Sequence, residues 1–174
     1  MIFTIIKVLL NKNKPAVSGP LDKTVEHFRV WPQWVDFNLH INNANYLVFA
    51  ERARWLFFMH AGLTKLVMKH KYNFIVAAAE VAYIREIRLM QKFSVETRLF
   101  GWDEKYMYID QFFTRNGKQH AHILIKAAVV KKGKVVPFEE VCQAFGIDYE
   151  SSKKGQVIDA WRELSTVKRE SAAK

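Results

Sequence analysis

The chain has one cysteine, Cys142, among its 174 residues, which rules out an intramolecular disulfide. Cys/His spacing of the zinc type is missing as well, and a reducing, cytoplasmic setting is the simpler expectation. Acidic residues are scarce: 17 Asp plus Glu face 27 Lys plus Arg, a formal charge of +10. That excess attracts anions, whether phosphorylated cofactors, nucleic acid or an acidic membrane surface, without choosing among them. A specific nucleic-acid partner is not expected, because the basic residues are spread out and no reading motif accompanies them. Long apolar runs are absent too. The opening MIFTIIKVLL is too short to span a bilayer and lacks a basic leader and a small-residue cleavage site. It reads as a strand or an interfacial helix lying on the protein itself. The alternative is a peripheral membrane contact through residues 1–14, helped by Lys7, Lys12 and Lys14, at the inner face of a membrane.

What is present is a well-stocked core: half of the residues are apolar and 14% are aromatic, enough for one domain of this length. Residues 11 to 23 collect Asn, Lys, Pro, Ser and Gly and mark a linker. The expected organisation is an N-terminal apolar segment and linker over 1–23, one domain over 24–150 and a C-terminal amphipathic helix over 151–174. Thr24 to Phe37 favours extended chain, and Pro32 holds Trp31 in a β-like conformation. Asn43 to Ala61 contains no Gly or Pro and is apolar at helical spacing, nearly all round, which predicts a buried helix ended by Gly62. Leu63 to His70 reads as a second helix.

Beyond Tyr72 the period changes to two. Ile75 to Ile87, Phe93 to Trp102, Tyr106 to Thr114 and Gln119 to Lys131 are four long strand-type runs joined by short turns, so they pair antiparallel. Lys134 to Val136 returns briefly to the sheet. Glu139 to Phe145 is a short helix closed by Gly146, and Gln156 to Lys168 is an amphipathic helix. The class is α+β: one long, twisted antiparallel sheet wrapped around a central helix, so that every strand buries a face on it.

The densest chemistry lies just before that helix. Asp36, Asn38, His40, Asn42, Asn43 and Asn45 crowd one loop that leads into the helix N-terminus, where free N–H groups favour negative charge. A carboxylate beside such donors suits acyl chemistry.

The run V-W-P-Q-W-V-D-F-N-L-H-I-N-N-A-N-Y-L from Val30, followed by E-R-A-R at Glu51 to Arg54, resembles the signature of the hotdog-fold thioesterases of the 4-hydroxybenzoyl-CoA thioesterase superfamily. R-L-F-G-W-D-E-K-Y-M-Y-I at Arg98 to Ile109 is similar to the branch of thioesterase superfamily member six and its bacterial relatives. The likeness runs from about Val30 to Gly146. It implies homodimers with sheets joined edge to edge, further pairing to tetramers being open, and active sites at the subunit interface. The implied substrates are acyl-CoA or acyl carrier protein thioesters, with no metal and no cofactor, coenzyme A being part of the substrate. The family's essential Asp, last in a D-x-D loop, falls on Asp36, with Trp34 standing where many members carry the first Asp. Asp36, Asn38 and His40 also resemble the D-x-N-x-H set of plant acyl carrier protein thioesterases. The oxyanion-binding amide falls on Asn43.

Asp36 is thus the nucleophile or general base toward water, against the commoner fate of a loop Asp as a turn or cap residue. His40 and Asn38 stand between catalysis and holding the loop. Asn42 and Asn43 cap the helix and present its amides to substrate. Tyr46 lines the core or the acyl pocket. Glu51 is expected to pair with Arg52 or Arg54, with a role as base in second place. His60, His70, His120 and His122 show no ligand spacing and no sequence neighbour that compels a role. Arg85, Arg88, Lys92, Lys126, Lys131 and Lys132 stand at strand ends or on strands along which a phosphorylated pantetheine tail could lie, solvated surface being the default reading for each. The competing classes are a non-catalytic acyl or lipid binder and a hotdog dehydratase, which the motif fits less well.

Overall fold

The computed structural model describes residue 19, residues 21–151 and residues 155–172. The membrane contact expected of residues 1–14 lies outside them. Five strands form one antiparallel sheet: β1 (Thr24–Arg29), β2 (Asn73–Tyr83), β3 (Lys92–Trp102), β4 (Tyr106–Arg115) and β5 (Lys118–Lys131). They lie in the order β1-β3-β4-β5-β2, and a two-residue β6 (Lys134–Val135) hangs on β5.

Helix α1 (Asn43–His60) lies on the concave face of this sheet. Its residues Tyr46, Phe49, Ala50, Ala53 and Phe57 recur at helical spacing and meet Phe93, Val95, Ile109, Phe113, Ile123 and Ile125 from alternate strand positions. This apolar layer is the dominant favourable contribution to the fold. The chain leaves the helix through Gly62, whose φ of +70° suits a residue without Cβ. A second helix, α2 (Leu63–His70), follows directly.

The expectation of a helix buried all round needs correction. Leu47 and Trp55 are 39% and 43% exposed, and Glu51 between them is exposed too, so among the described residues one side of α1 is left uncovered. α1 meets β2, one of the two outer strands, through the Tyr46–Tyr83 and Phe58–Phe74 ring pairs, and Ile75, Val76 and Tyr83 of that strand are also exposed. Apolar periodicity registers aversion to water but not whether the cover comes from the same chain.

Two strands end sooner than alternation predicts. β1 stops at Arg29, and Pro32–Trp34 makes a 3-10 turn with Pro32 at its first position, where no N–H is required. β2 stops at Tyr83 because Ile84 and Arg85 both turn their N–H groups to the His120 carbonyl, each at 2.9 Å. Residues 84–91 then wrap the sheet end instead of extending it.

On the convex face, helix α3 (Phe138–Phe145) having closed the far end, α4 (Gln156–Ala172) lays Ile158 and Trp161 over Tyr108 and Leu124. Arg162 reaches Asp103 at 3.3 Å and Glu104 at 3.1 Å. Lys126, expected at the surface, is only 7% exposed: its ammonium lies 4.3 Å from the Tyr106 ring centroid and 5.9 Å from that of Tyr108. No helix among the described residues is long and apolar enough to cross a membrane.

Candidate active site

Val35 and Ile41 face each other in an isolated bridge, which closes the polar loop into a tight excursion between 35 and 41. The Asp36 N–H donates to the His40 carbonyl at 3.1 Å, and the Leu39 N–H to the Asp36 carbonyl at 3.0 Å. Leu39 takes a left-handed φ of +59° to make this turn, an uncommon conformation for a residue with Cβ. Asp36 Oδ1 accepts the Asn38 N–H at 2.9 Å, a local turn of the kind Asp favours. The other oxygen, Oδ2, lies 3.5 Å from His40 Nδ1, both side chains about three-quarters covered. One Asp36 oxygen therefore serves the loop and the other faces the imidazole.

The loop is tied to the 84–91 segment. His40 bridges Arg88, the Ile41 N–H donates to the Ile87 carbonyl at 2.9 Å, and the Leu89 N–H to the Leu39 carbonyl at 2.8 Å. At the helix entrance Asn42 Oδ1 accepts the Ala44 N–H at 2.9 Å, the cap expected of it. The Trp34 carbonyl takes both the Asn42 N–H at 3.1 Å and the Asn45 side-chain amide at 2.9 Å, fixing the angle at which the chain enters the helix.

The Asn43 N–H donates to no group among the described residues, while its carbonyl accepts the Tyr83 hydroxyl at 2.9 Å. A pocket of about 240 Å³ opens here, lined by His40, Asn43, Tyr46, Tyr83, Arg85 and Glu86 among others. Tyr46 is buried, its ring 5.2 Å from Tyr83 and 5.3 Å from Phe113. Burial, with Tyr83 beside it, pushes the Tyr46 phenol up to about 12, so it stays neutral.

His40, Asn43 and Tyr46 thus meet at one pocket, with Asp36 behind His40. Asn38 contributes its backbone N–H, and its side chain is exposed. Glu51 does not line this pocket, and the ion pair expected of it is not formed among the described residues. Arg54 donates instead to Gln111 Oε1 at 2.8 Å, and Arg52 lies over the Trp34 ring at 4.6 Å. Burial lowers Arg54 to about 10, the Glu51 charge opposing. Sequence reading missed Tyr83 and Glu86, and it left Arg85 on the surface. The available signal was an aromatic ending an Ala/Val-rich strand, which says nothing about the helix terminus it meets.

The histidines fare better in space than in sequence. His122 Nε2 sits 2.5 Å from the buried Asp110 carboxylate, His120 Nδ1 2.9 Å from the Glu86 carbonyl, and His60 Nδ1 3.6 Å from Glu26. No three His, Cys, Asp or Glu side chains gather into a metal-binding group among the described residues.

A curled antiparallel sheet around one long helix, with a polar loop at the helix N-terminus, defines a hotdog-fold protein. YbaW, a probable thioesterase from Escherichia coli, shares the fold with a TM-score of 0.62 and 25% identity, over 69% of this chain and 94% of that one. The chain belongs to the thioesterase-like superfamily, whose family model matches residues 30–146. It is 33% identical to protein THEM6 of Xenopus laevis over 61% of its own length and 51% of the relative's. It is 29% identical to the probable thioesterase YBR096W of Saccharomyces cerevisiae over 57% and 44% respectively. The chain therefore spans about half the length of the curated relatives it matches.

Proposed function

We propose that this protein hydrolyses an acyl thioester, with coenzyme A or acyl carrier protein as the thiol, to the free acid. The observation that carries this reading is the unclaimed Asn43 N–H at a helix N-terminus, beside a pocket that His40 shares and with a carboxylate behind it. A thioester carbonyl oxygen seated against that amide gains charge in the tetrahedral intermediate, where the helix dipole and the donor both favour it. Asp36 Oδ2 takes a proton from water as the water oxygen bonds to the carbonyl carbon. Collapse of the intermediate breaks the C–S bond, and the thiolate leaves, collecting the proton. An alternative route has Asp36 attack directly, forming an anhydride that water opens. His40 orients Asp36 and the water in either case, Asn38 and Asn42 hold the loop and the cap, and Tyr46 and Tyr83 wall the acyl group.

The side of α1 and the edge of β2 that are left open among the described residues support a homodimer in which a second copy completes the acyl pocket. A dimer explains why Leu47, Trp55, Ile75 and Val76 face water in a single chain.

The test is thiol release from acyl-CoAs of graded chain length and aromaticity, wild type against Asp36→Asn. Hydrolysis is expected in the wild type, with a loss of about 10²-fold or more in the variant. Undiminished hydrolysis by Asp36→Asn removes that residue from the mechanism. Binding without turnover of any thioester by the wild type identifies an acyl binder instead.

A further inference from the structure

At the end of the sheet where β1, β3 and β4 meet lies a groove of about 590 Å³. Strand register decides what lines it. Arg29 of β1 stands directly opposite Lys92 of β3, and His27 stands opposite Ser94, which faces Thr114 of β4. Phe28 and Phe93, the residues between, pack into the core, so His27, Arg29, Lys92 and Ser94 share the outer face, away from α1. Arg115 completes the wall.

The groove contains no acid, and among the described residues none of Arg29, Lys92 and Arg115 has an ion pair. Arg29 leans on the Trp31 ring at 5.9 Å instead. Like charges placed directly opposite in a sheet oppose folding. This sheet end carries that arrangement twice, Arg29 against Lys92 and Arg115 against Lys118. Protection of an exposed edge accounts for a cation on β1, whereas β3 and β4 are inner strands whose mutual pairing stops at Ser94 and Thr114, so Lys92 and Arg115 stand just past it at the open sheet end. The hydroxyls of Ser94 and Thr114 lie 2.7 Å apart on the groove wall and add short-range donors.

We propose that this groove binds a phosphate group, with Arg29, Lys92 and Arg115 balancing its charge and the Ser94–Thr114 hydroxyl pair donating to its oxygens. Two sources carry such a group: the nucleotide end of coenzyme A and the headgroup of an acidic phospholipid. The groove shares no lining residue with the His40–Asn43 pocket, and phosphate binding needs no turnover, so the proposal stands apart from thioester hydrolysis.

Two probes separate the sources: adenosine 3′,5′-bisphosphate by titration calorimetry, and co-flotation with phosphatidylcholine vesicles with and without phosphatidic acid. Wild type is expected to bind one of them, and the Arg29→Gln/Lys92→Gln double variant to lose roughly tenfold or more in affinity. Ser94→Ala is expected to weaken the same probe with both cations in place. Lys65→Gln, an exposed helix cation away from the groove, and Asp36→Asn are expected to bind as wild type does. Circular dichroism checks the fold of each variant. Bisphosphate binding identifies the nucleotide end, and vesicle binding that needs phosphatidic acid identifies the headgroup. The proposal is overturned if the wild type binds neither probe, or if the folded double variant binds as tightly as the wild type.

Discussion

Asp110 is buried on β4, yet its carboxyl is held below the usual carboxylate range. Burial acts to raise it, and hydrogen bonds from His122 Nε2 and from Arg98, the latter at 2.8 and 3.2 Å, outweigh that. A depressed folded-state value means the native protein holds on to fewer protons than the unfolded chain. Its stabilisation is therefore complete above the unfolded carboxylate value of about 3.9 and is lost as the pH falls through the lower folded value. Asp110→Asn is expected to lower stability at neutral pH by about 1–3 kcal/mol. It is also expected to flatten the acid limb of the stability curve. Urea unfolding of both proteins at several pH values down to the acid transition checks this, and an unchanged acid slope rejects the assignment. The same cluster shows what a sequence hides. Arg98, Asp110 and His122 stand on three different strands, and only the pairing of Arg98 with Asp110 and of Phe112 with His122 brings them together. The grouping of Asp36, His40 and Asn43 was legible because eight consecutive residues carry all three, whereas the 84–91 segment that ties the loop was not. Tyr83 was not, since it reaches the Asn43 carbonyl from forty residues away.

At the scale of elements, α1 was foreseen within one residue because nothing in Asn43–His60 competes with a helix and Asn42 supplies the cap. Asn42→Ala is expected to destabilise by about 1 kcal/mol, and Asn42→Ser much less. Because the same cap sets the angle of the first-turn amides, thiol release by Asn42→Ala should fall further than its stability alone explains. Thermal unfolding and steady-state rates below the transition separate the two. Strand ends were less legible: alternation carried β2 on to Ile87, since it cannot see the His120 carbonyl that draws Ile84 and Arg85 aside. The attachment of α4 to the convex face was also outside its reach. Among the contacts that hold it are the Trp161 ring, 5.7 Å from Tyr108, and the Arg162 pair with Asp103. Asp103 retains the Tyr108 hydroxyl and two backbone N–H groups without Arg162, whose side chain is 45% exposed. Trp161→Ala is thus expected to cost about 3 kcal/mol in urea unfolding. Arg162→Ala should cost no more than about 1 kcal/mol. The reverse order would make the ion pair the anchor of α4.

For the whole molecule, the deciding feature is the apolar surface that the described residues leave exposed. β2 is eleven residues long, stands at one end of the strand order and carries exposed Ile75, Val76 and Tyr83, and α1 carries exposed Leu47 and Trp55. An apolar edge of that length is a pairing surface for any other strand, and folded monomers normally blunt it with charge, proline or a covering loop. Here Glu80 is the one charge on the strand, which supports the proposed homodimer, in which a second copy would cover both the apolar area and the edge of β2. The pocket at Asn43 is lined by Tyr83 and Ile84 of this same edge, so the proposed dimer and the proposed turnover are expected to vary together. Trp55→Glu combined with Val76→Lys should therefore yield a folded monomer by analytical ultracentrifugation. Its thiol release should fall at least as far as its dimer fraction, while Asp36→Asn stays dimeric and inactive. A wild-type protein that sediments as a monomer and still turns over would separate the two and place the entire acyl pocket within one chain.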